Sequence, residues 1–249
     1  MKKARILVLA LLVLATSSCE NELTEEFDVA QKAGTINIKG FSAPGAVQLR
    51  FNNEPVLING SSFYNENIET TLHFVVDKGE SDVLGIYDND TGNERAKYEI
   101  TYDNIADYKD FYFFNLPDIF LEVYAVKPSV NLGQVGFVFL FPNLGEYSGY
   151  NLESVKGVLK KGNGTVLATF ENIGTDDFSE LKVYNFFSNT APVFLELYKP
   201  GTTEPYTGTT PIQVQISQTI GANMIVLQEK MENGTVVIKG DIDVADYLE

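Results

Sequence analysis

The chain has one histidine, one cysteine, no tryptophan and 34 acidic side chains from which a reactive site could be built. His73 lies in Thr71-Leu72-His73-Phe74-Val75, a segment that predicts a strand. A Ser-His-Asp or Cys-His triad needs an imidazole held between nucleophile and carboxylate, and only His73 could serve. No Gly-x-Ser-x-Gly turn presents a serine to it. Histidine-based zinc sites ordinarily use two or more such ligands. His73 is therefore expected to face solvent or an interface. A single cysteine excludes an internal disulfide and any multi-cysteine metal site.

Oxygen donors alternate in Asp88-Asn89-Asp90-Thr91-Gly92-Asn93-Glu94, as at the start of a calcium loop, with Asp88, Asp90 and Glu94 as candidate ligands. The full motif wants glycine where Asn93 stands and a bidentate glutamate at the position of Glu99. Between two strands the same letters make a turn, which is the expected reading. Neither a metal nor a cofactor is expected. Glycoside hydrolysis would need two facing carboxylates, and the spacing of the acids singles out no pair. Gly162-Asn163-Gly164 falls between strands rather than between strand and helix, so it has no dinucleotide-binding meaning. Glycan recognition usually presents flat aromatic rings. With tryptophan absent, the loop tyrosines Tyr147, Tyr150 and Tyr206 are the candidates, the alternative being that they pack over the ends of a sandwich.

Cys19 has a different chemistry. Residues 1–5 are basic, residues 6–15 are apolar, and Thr16-Ser17-Ser18 are small. The apolar run is too short to span a bilayer stably but suits a secretory signal. The segment resembles a bacterial lipoprotein signal, with Cys19 as the lipidated first residue of the mature chain. Thr16 stands where that pattern has an aliphatic residue, and an ordinary cleaved signal with an incidental cysteine is the alternative. Cleavage would remove three cations and no acid, moving the net charge from −16 to −19. Such a charge argues against a nucleic-acid partner and against adsorption of the folded part to anionic headgroups. Glu20-Asn21-Glu22-Leu23-Thr24-Glu25-Glu26 reads as a solvated tether, because like charges repel and extend it. It also resembles the acidic stretch after the cysteine in surface-exported lipoproteins of the Bacteroidota. That resemblance implies an outer-membrane lipoprotein on the cell surface, with the periplasmic face as the alternative.

The rest of the chain must supply the scaffold, and it repeats. Phe41, Phe114 and Phe187 each end a short expected strand before a polar turn with Pro, at spacings of 73 and 73 residues. Phe51, Tyr124 and Tyr198 end the following run, at spacings of 73 and 74. Ile105, Ile173 and Ile242 follow at 68 and 69. Asn163-Gly164 and Asn233-Gly234 between apolar runs are strong hairpin signals, since a type I′ turn needs positive φ at both central residues.

Five strands are expected per repeat: 35–40, 46–51, 70–77, 83–88 and 97–102; then 111–115, 119–126, 135–141, 155–160 and 165–170; then 181–186, 193–198, 211–217, 223–230 and 235–240. Alternation in Phe194-Leu195-Glu196-Leu197-Tyr198 points to antiparallel sheets with one wet face. Phe137-Val138-Phe139-Leu140-Phe141 is apolar on both faces and belongs at the centre, between units or sheets. Only residues 243–248 hint at a helical period.

The expected fold is all-β, with tandem antiparallel β-sandwich units in three internal repeats. The boundaries fall at 1–18 for the signal, 19–34 for the tether, and 35–107, 108–177 and 178–249 for the units. An aromatic strand, a turn with Pro and an aliphatic strand with a polar middle resemble the tandem DUF4397-like domains of Bacteroidota lipoproteins. That resemblance implies an immunoglobulin-like fold and no established activity. The function expected from all this is a non-enzymatic, lipid-anchored adhesion or scaffold component with a protein or glycan ligand. The alternative is a glycan-binding accessory lipoprotein of an outer-membrane uptake system.

Overall fold

The computed structural model describes residues 30–116, 119–187, 192–245 and 248. Cys19, the signal and most of the expected tether lie outside the described residues.

The first strand, β1 (Gln31–Phe51), begins inside the segment expected to be tether and runs through both of the expected strands 35–40 and 46–51. Its register shifts between Ser42 and Val47, which lets its two halves join different partners. The first half pairs antiparallel with β3 (Tyr64–Asp77) and parallel with β6 (Asp110–Leu116). The second half pairs with β4 (Ser81–Asp88), which in turn pairs with β5 (Glu94–Thr101). Short strands β2 (Glu54–Pro55) and β7 (Ile119–Leu121) extend β1 and β6. Ile36, Ile38, Leu49, Ile86, Ile100 and Phe113 meet in one core between the two halves.

The remaining strands form a two-sheet sandwich. They are β8 (Gln134–Leu140), β9 (Ser154–Lys161), β10 (Val166–Gly174), β11 (Lys182–Asn185), β12 (Val193–Tyr198), β13 (Ile212–Ile216), β14 (Gly221–Glu232) and β15 (Thr235–Asp243). One sheet has the order β11-β8-β14-β15 and the other β10-β9-β12-β13. The chain is thus all-β and sandwich-built. Most pairings are antiparallel, as alternation implied, but β1/β6 and β8/β14 run parallel.

The doubly apolar segment lies at the centre. Phe137, Phe139 and Phe141 enter the sandwich core, while Val138 and Leu140 point the other way. There they meet Phe41, Phe114 and Leu116 of the first sheet and Met224 of β14, joining the two halves of the molecule. A strand buried on both faces needs no polar alternation.

The hydrogen bonds do not respect the boundaries at 107/108 and 177/178. Strands β6 and β7, from the second expected unit, complete the sheet of the first. Strands β11 and β12, from the third, pair with β8 and β9 of the second. In the first half, the two parts of β1 pair with β3 and β4, and β4 pairs with β5. The same partnerships recur as β11 with β8, β12 with β9, and β9 with β10. The later repeats therefore exchange strands. A stretch of about 70 residues buries too little surface alone, and pairing across repeats enlarges the core. What stays within each repeat is its closing hairpin, β4–β5, β9–β10 or β14–β15. The hinted helix at 243–248 begins as the end of β15. Asp243 accepts hydrogen bonds there from the backbone N–H of Met224 at 2.8 Å and Ala245 at 2.9 Å.

Candidate functional site

The outward face of the first sheet carries side chains in register. Lys39 of β1 stands opposite Glu69 of β3 on one side and Tyr112 of β6 on the other. These three form one row across three strands, because residues paired in a ladder share a face. In the next row toward the junction, Phe41 lies between Asn67 and Phe114, and both phenylalanines are buried against the second sandwich. In the next row away from it, Asn37 lies between Thr71 and Asp110. Asn37 donates to Asp110 at 2.9 Å and accepts from the Thr71 hydroxyl at 3.1 Å. The face thus grades from apolar under the junction to polar in the open.

A groove of about 310 Å³ opens where the grading occurs. The segment after β7 forms one wall, with Tyr124 64% exposed and its ring centroid 4.6 Å from that of Tyr112, edge on at 65°. Lys39 and Glu69 form an ion pair of 2.9 Å at the rim, both well exposed. The hydrogen bond from Lys39 to Glu69 and the charge of Glu69 hold the ammonium pKa above its ordinary value. Burial, then Asp110 and Tyr124, push the Tyr112 phenol up. Gly40 lies behind this row, and a Cβ there would fall 2.2 Å from the Phe113 ring, so only glycine lets that buried ring pass beneath the groove. Aromatic surface beside a few convergent polar groups is the ordinary make-up of a small-ligand site.

The residues singled out from sequence are placed elsewhere. Tyr206 is wholly buried in the sandwich core, so it presents no ring to a ligand. Its hydroxyl donates to Glu229 Oε1 at 2.9 Å, accepts from the Gly145 N–H at 3.1 Å and shares a hydrogen bond with Ser148 at 2.8 Å. Burial first, with the Glu229 charge, pushes this phenol well up. Glu229 also accepts from the Tyr147 N–H at 2.9 Å, while Asn143 bonds both to its carbonyl and to its N–H, each at 2.8 Å. Tyr206 is thus the post on which loop 142–152 is hung. Tyr147 and Tyr150 are 42% and 38% exposed, and the Tyr150 ring leans on Tyr206 at 5.8 Å.

Asp88, Asp90 and Glu94 sit at the β4–β5 turn. Asp88 is 3.9 Å from Arg95, Asn89 donates to Asp90, and Glu94 accepts from the Tyr87 hydroxyl at 3.2 Å. Glu99, the twelfth position of a calcium loop, lies along β5 opposite Val83. Among the described residues, no three His, Cys, Asp or Glu side chains gather as a metal site. His73 is exposed on β3 and shares a hydrogen bond of 3.1 Å with Thr35.

Sequence reasoning missed Tyr112 as a site residue and used Tyr124 only as a repeat marker. A signal was available. In Phe111-Tyr112-Phe113-Phe114, the tyrosine is out of phase with the inward Phe111 and Phe113.

No known family profile matches the chain, and no curated protein is significantly similar to it. Among solved structures, the chain is similar to the CBMbc module (family CBM26) from Eubacterium rectale Amy13K, crystallised in complex with maltoheptaose. The identity is 11% and the TM-score 0.24, over 86% of this chain and 99% of that one. A TM-score of that size is too low to bear on ligand or site, and the sandwich architecture here rests on the sheets themselves.

Proposed function

We propose that this chain is a non-enzymatic binding protein, held outside the cytoplasm by a lipid on Cys19 and acting as an adhesion or scaffold component. The observation that supports binding is the groove, where the exposed Tyr124 ring meets Tyr112 beside the Lys39–Glu69 pair. The residues support contact rather than bond cleavage, since the groove pairs one carboxylate with an ammonium rather than facing it with a second acid. The anchor reading rests on the basic start, the short apolar run and the small residues before Cys19. The acidic stretch after Cys19 supports display on the cell surface.

Two measurements test the anchor and the display. Palmitate labelling and membrane fractionation should place the chain with membranes, and Cys19→Ala should abolish the label and release the protein. Sedimentation of Cys19→Ala with membranes would defeat the anchor. Protease added to intact cells should degrade the chain, and protection until the outer membrane is opened would assign it to the periplasmic face.

A further inference from the structure

The geometry points to a neutral, linear oligosaccharide as the ligand of this groove, with one sugar ring against Tyr124 and Tyr112 and the chain running along β1 past Asn37. This inference rests on the binding role proposed above and names the ligand class. Three features of the row support it.

The first is the aromatic corner. Two tyrosine rings at 65° offer a face and an edge, with a hydroxyl on each. A pyranose has an apolar face of axial C–H bonds and a rim of hydroxyls, and tyrosine matches both. The second is the ion pair. Lys39 Nζ and Glu69 Oε1 are 2.9 Å apart, close to the separation of two neighbouring hydroxyl oxygens on a sugar. One hydroxyl of such a diol can donate to the carboxylate while the other accepts from the ammonium. An exposed ion pair contributes little to stability, so a ligand can share its two ends at small cost. Its two charges also cancel, leaving no attraction for an anion in a chain already at −16.

The third feature is the continuation of the row. Asn37 and Asp110 follow two residues further along the strands, about 6.8 Å on, and again supply an amide and a carboxylate. A repeating polymer can use a repeating ladder. A proline-rich peptide could also lie on paired tyrosines, but its backbone presents mainly carbonyl acceptors and would add no donor to either carboxylate. The observations therefore favour the sugar.

The test uses the full chain purified in detergent. Isothermal titration is run against neutral glucose, mannose and galactose oligomers of one to six units, sialylated and sulfated oligosaccharides, and a proline-rich decapeptide. The expected result is binding of a neutral oligomer that tightens with length. Tyr124→Ala should weaken it at least about fivefold, and Glu69→Gln should weaken it by a similar factor. Asn37→Ala should remove most of the gain with length and leave the shortest binding oligomer unaffected. Circular dichroism melts check that each variant folds, and Tyr124→Phe, which keeps the ring, should retain most of the affinity.

If only the peptide or an anionic glycan binds, and Tyr124→Ala abolishes that binding, the neutral sugar is refuted while the groove remains a binding site. If no probe binds, or if binding ignores Tyr124→Ala and Glu69→Gln, the groove itself is overturned as the contact surface.

Discussion

Phe41 of β1 and Phe114 of β6 stand opposite one another in a parallel ladder, 73 residues apart in the chain. The offset is the same as the first spacing of the aromatic repeat. Asn37 and Asp110, and Ser42 and Asn115, are paired at the same offset and hydrogen-bonded to each other. The sequence period between the first two repeats is therefore also a strand register: like segments lie beside like. Both phenylalanines are buried in the cluster that joins the two halves of the molecule.

Asn115 closes that ladder at its buried end. It donates to Ser42 Oγ at 3.0 Å and accepts from Arg95 Nε at 2.9 Å. Asn115→Ala should remove one buried hydrogen bond from each partner, leaving Ser42 its bond to the Gly45 carbonyl and Arg95 its bond to the Leu116 carbonyl, and cost about 1–3 kcal/mol. A urea midpoint unchanged from the parent would contradict this role.

Phe139 packs edge-on against Phe170 at 4.9 Å in the sandwich core, with no exposure. Phe139→Ala should cost about 3–5 kcal/mol, the transfer and cavity terms together. Denaturant unfolding followed by circular dichroism measures it, and a loss below 1 kcal/mol would mean that the core collapses around the gap.

Gly145 and Gly149 both have positive φ, +85° and +73°. A Cβ on Gly145 would fall 2.0 Å from the Tyr150 carbonyl oxygen, whereas one on Gly149 meets nothing. Gly149→Ala should carry only the backbone strain, about 1 kcal/mol, and Gly145→Ala clearly more. Hydrogen exchange should show loop 142–152 opening in Gly145→Ala alone. Equal protection in the two variants would exclude the clash as the cause.

Glu196 predicts an acid-side dependence. Burial would raise its pKa, but hydrogen bonds from Lys160 at 2.5 Å, Tyr198 at 2.5 Å and Gln213 at 2.9 Å outweigh it and hold the carboxyl below its ordinary 4.5. A depressed folded pKa contributes stability above the unfolded value, and that stability is lost as pH falls through the folded one. Glu196→Gln should therefore melt lower than the parent near neutrality, with the gap closing below pH 4.5. At the alkaline end, burial first, then Glu196, raises Tyr198 to about 12. Its contribution is full below the ordinary 10.0 and fades as pH rises through about 12. A melting-temperature gap independent of pH would show that the carboxylate charge is not what the cluster uses.

The strands were readable because their signal is local. Alternation every second residue in Phe194 to Tyr198 and the turn chemistry of Asn233-Gly234 act within a few residues, and β12 and the β14–β15 hairpin fall there, with both turn residues at positive φ. At Asn163-Gly164 the hairpin also forms, but only Gly164 takes positive φ, so that turn is not the type I′ expected. The double burial of the segment from Phe137 to Phe141 was readable for the same reason, since a strand without a polar face has none to give to water. The site was less readable. Tyr206 looked like a loop ring open to ligand, but its hydroxyl had a buried partner in Glu229, 23 residues away, and the pair drew it inward.

By itself the sequence determined where most strands lie, which of their faces are apolar, and that the chain is acidic. Tertiary structure alone decided which strand pairs with which. Ladder hydrogen bonds join backbone groups that every residue shares, so no local pattern says that β12 joins β9 of the preceding repeat on one side as well as β13 of its own on the other. That choice is made by the total surface buried when the sheets close. It also brought Lys39, Glu69, Tyr112 and Tyr124 into one groove from four separate segments, which no spacing in the chain announces.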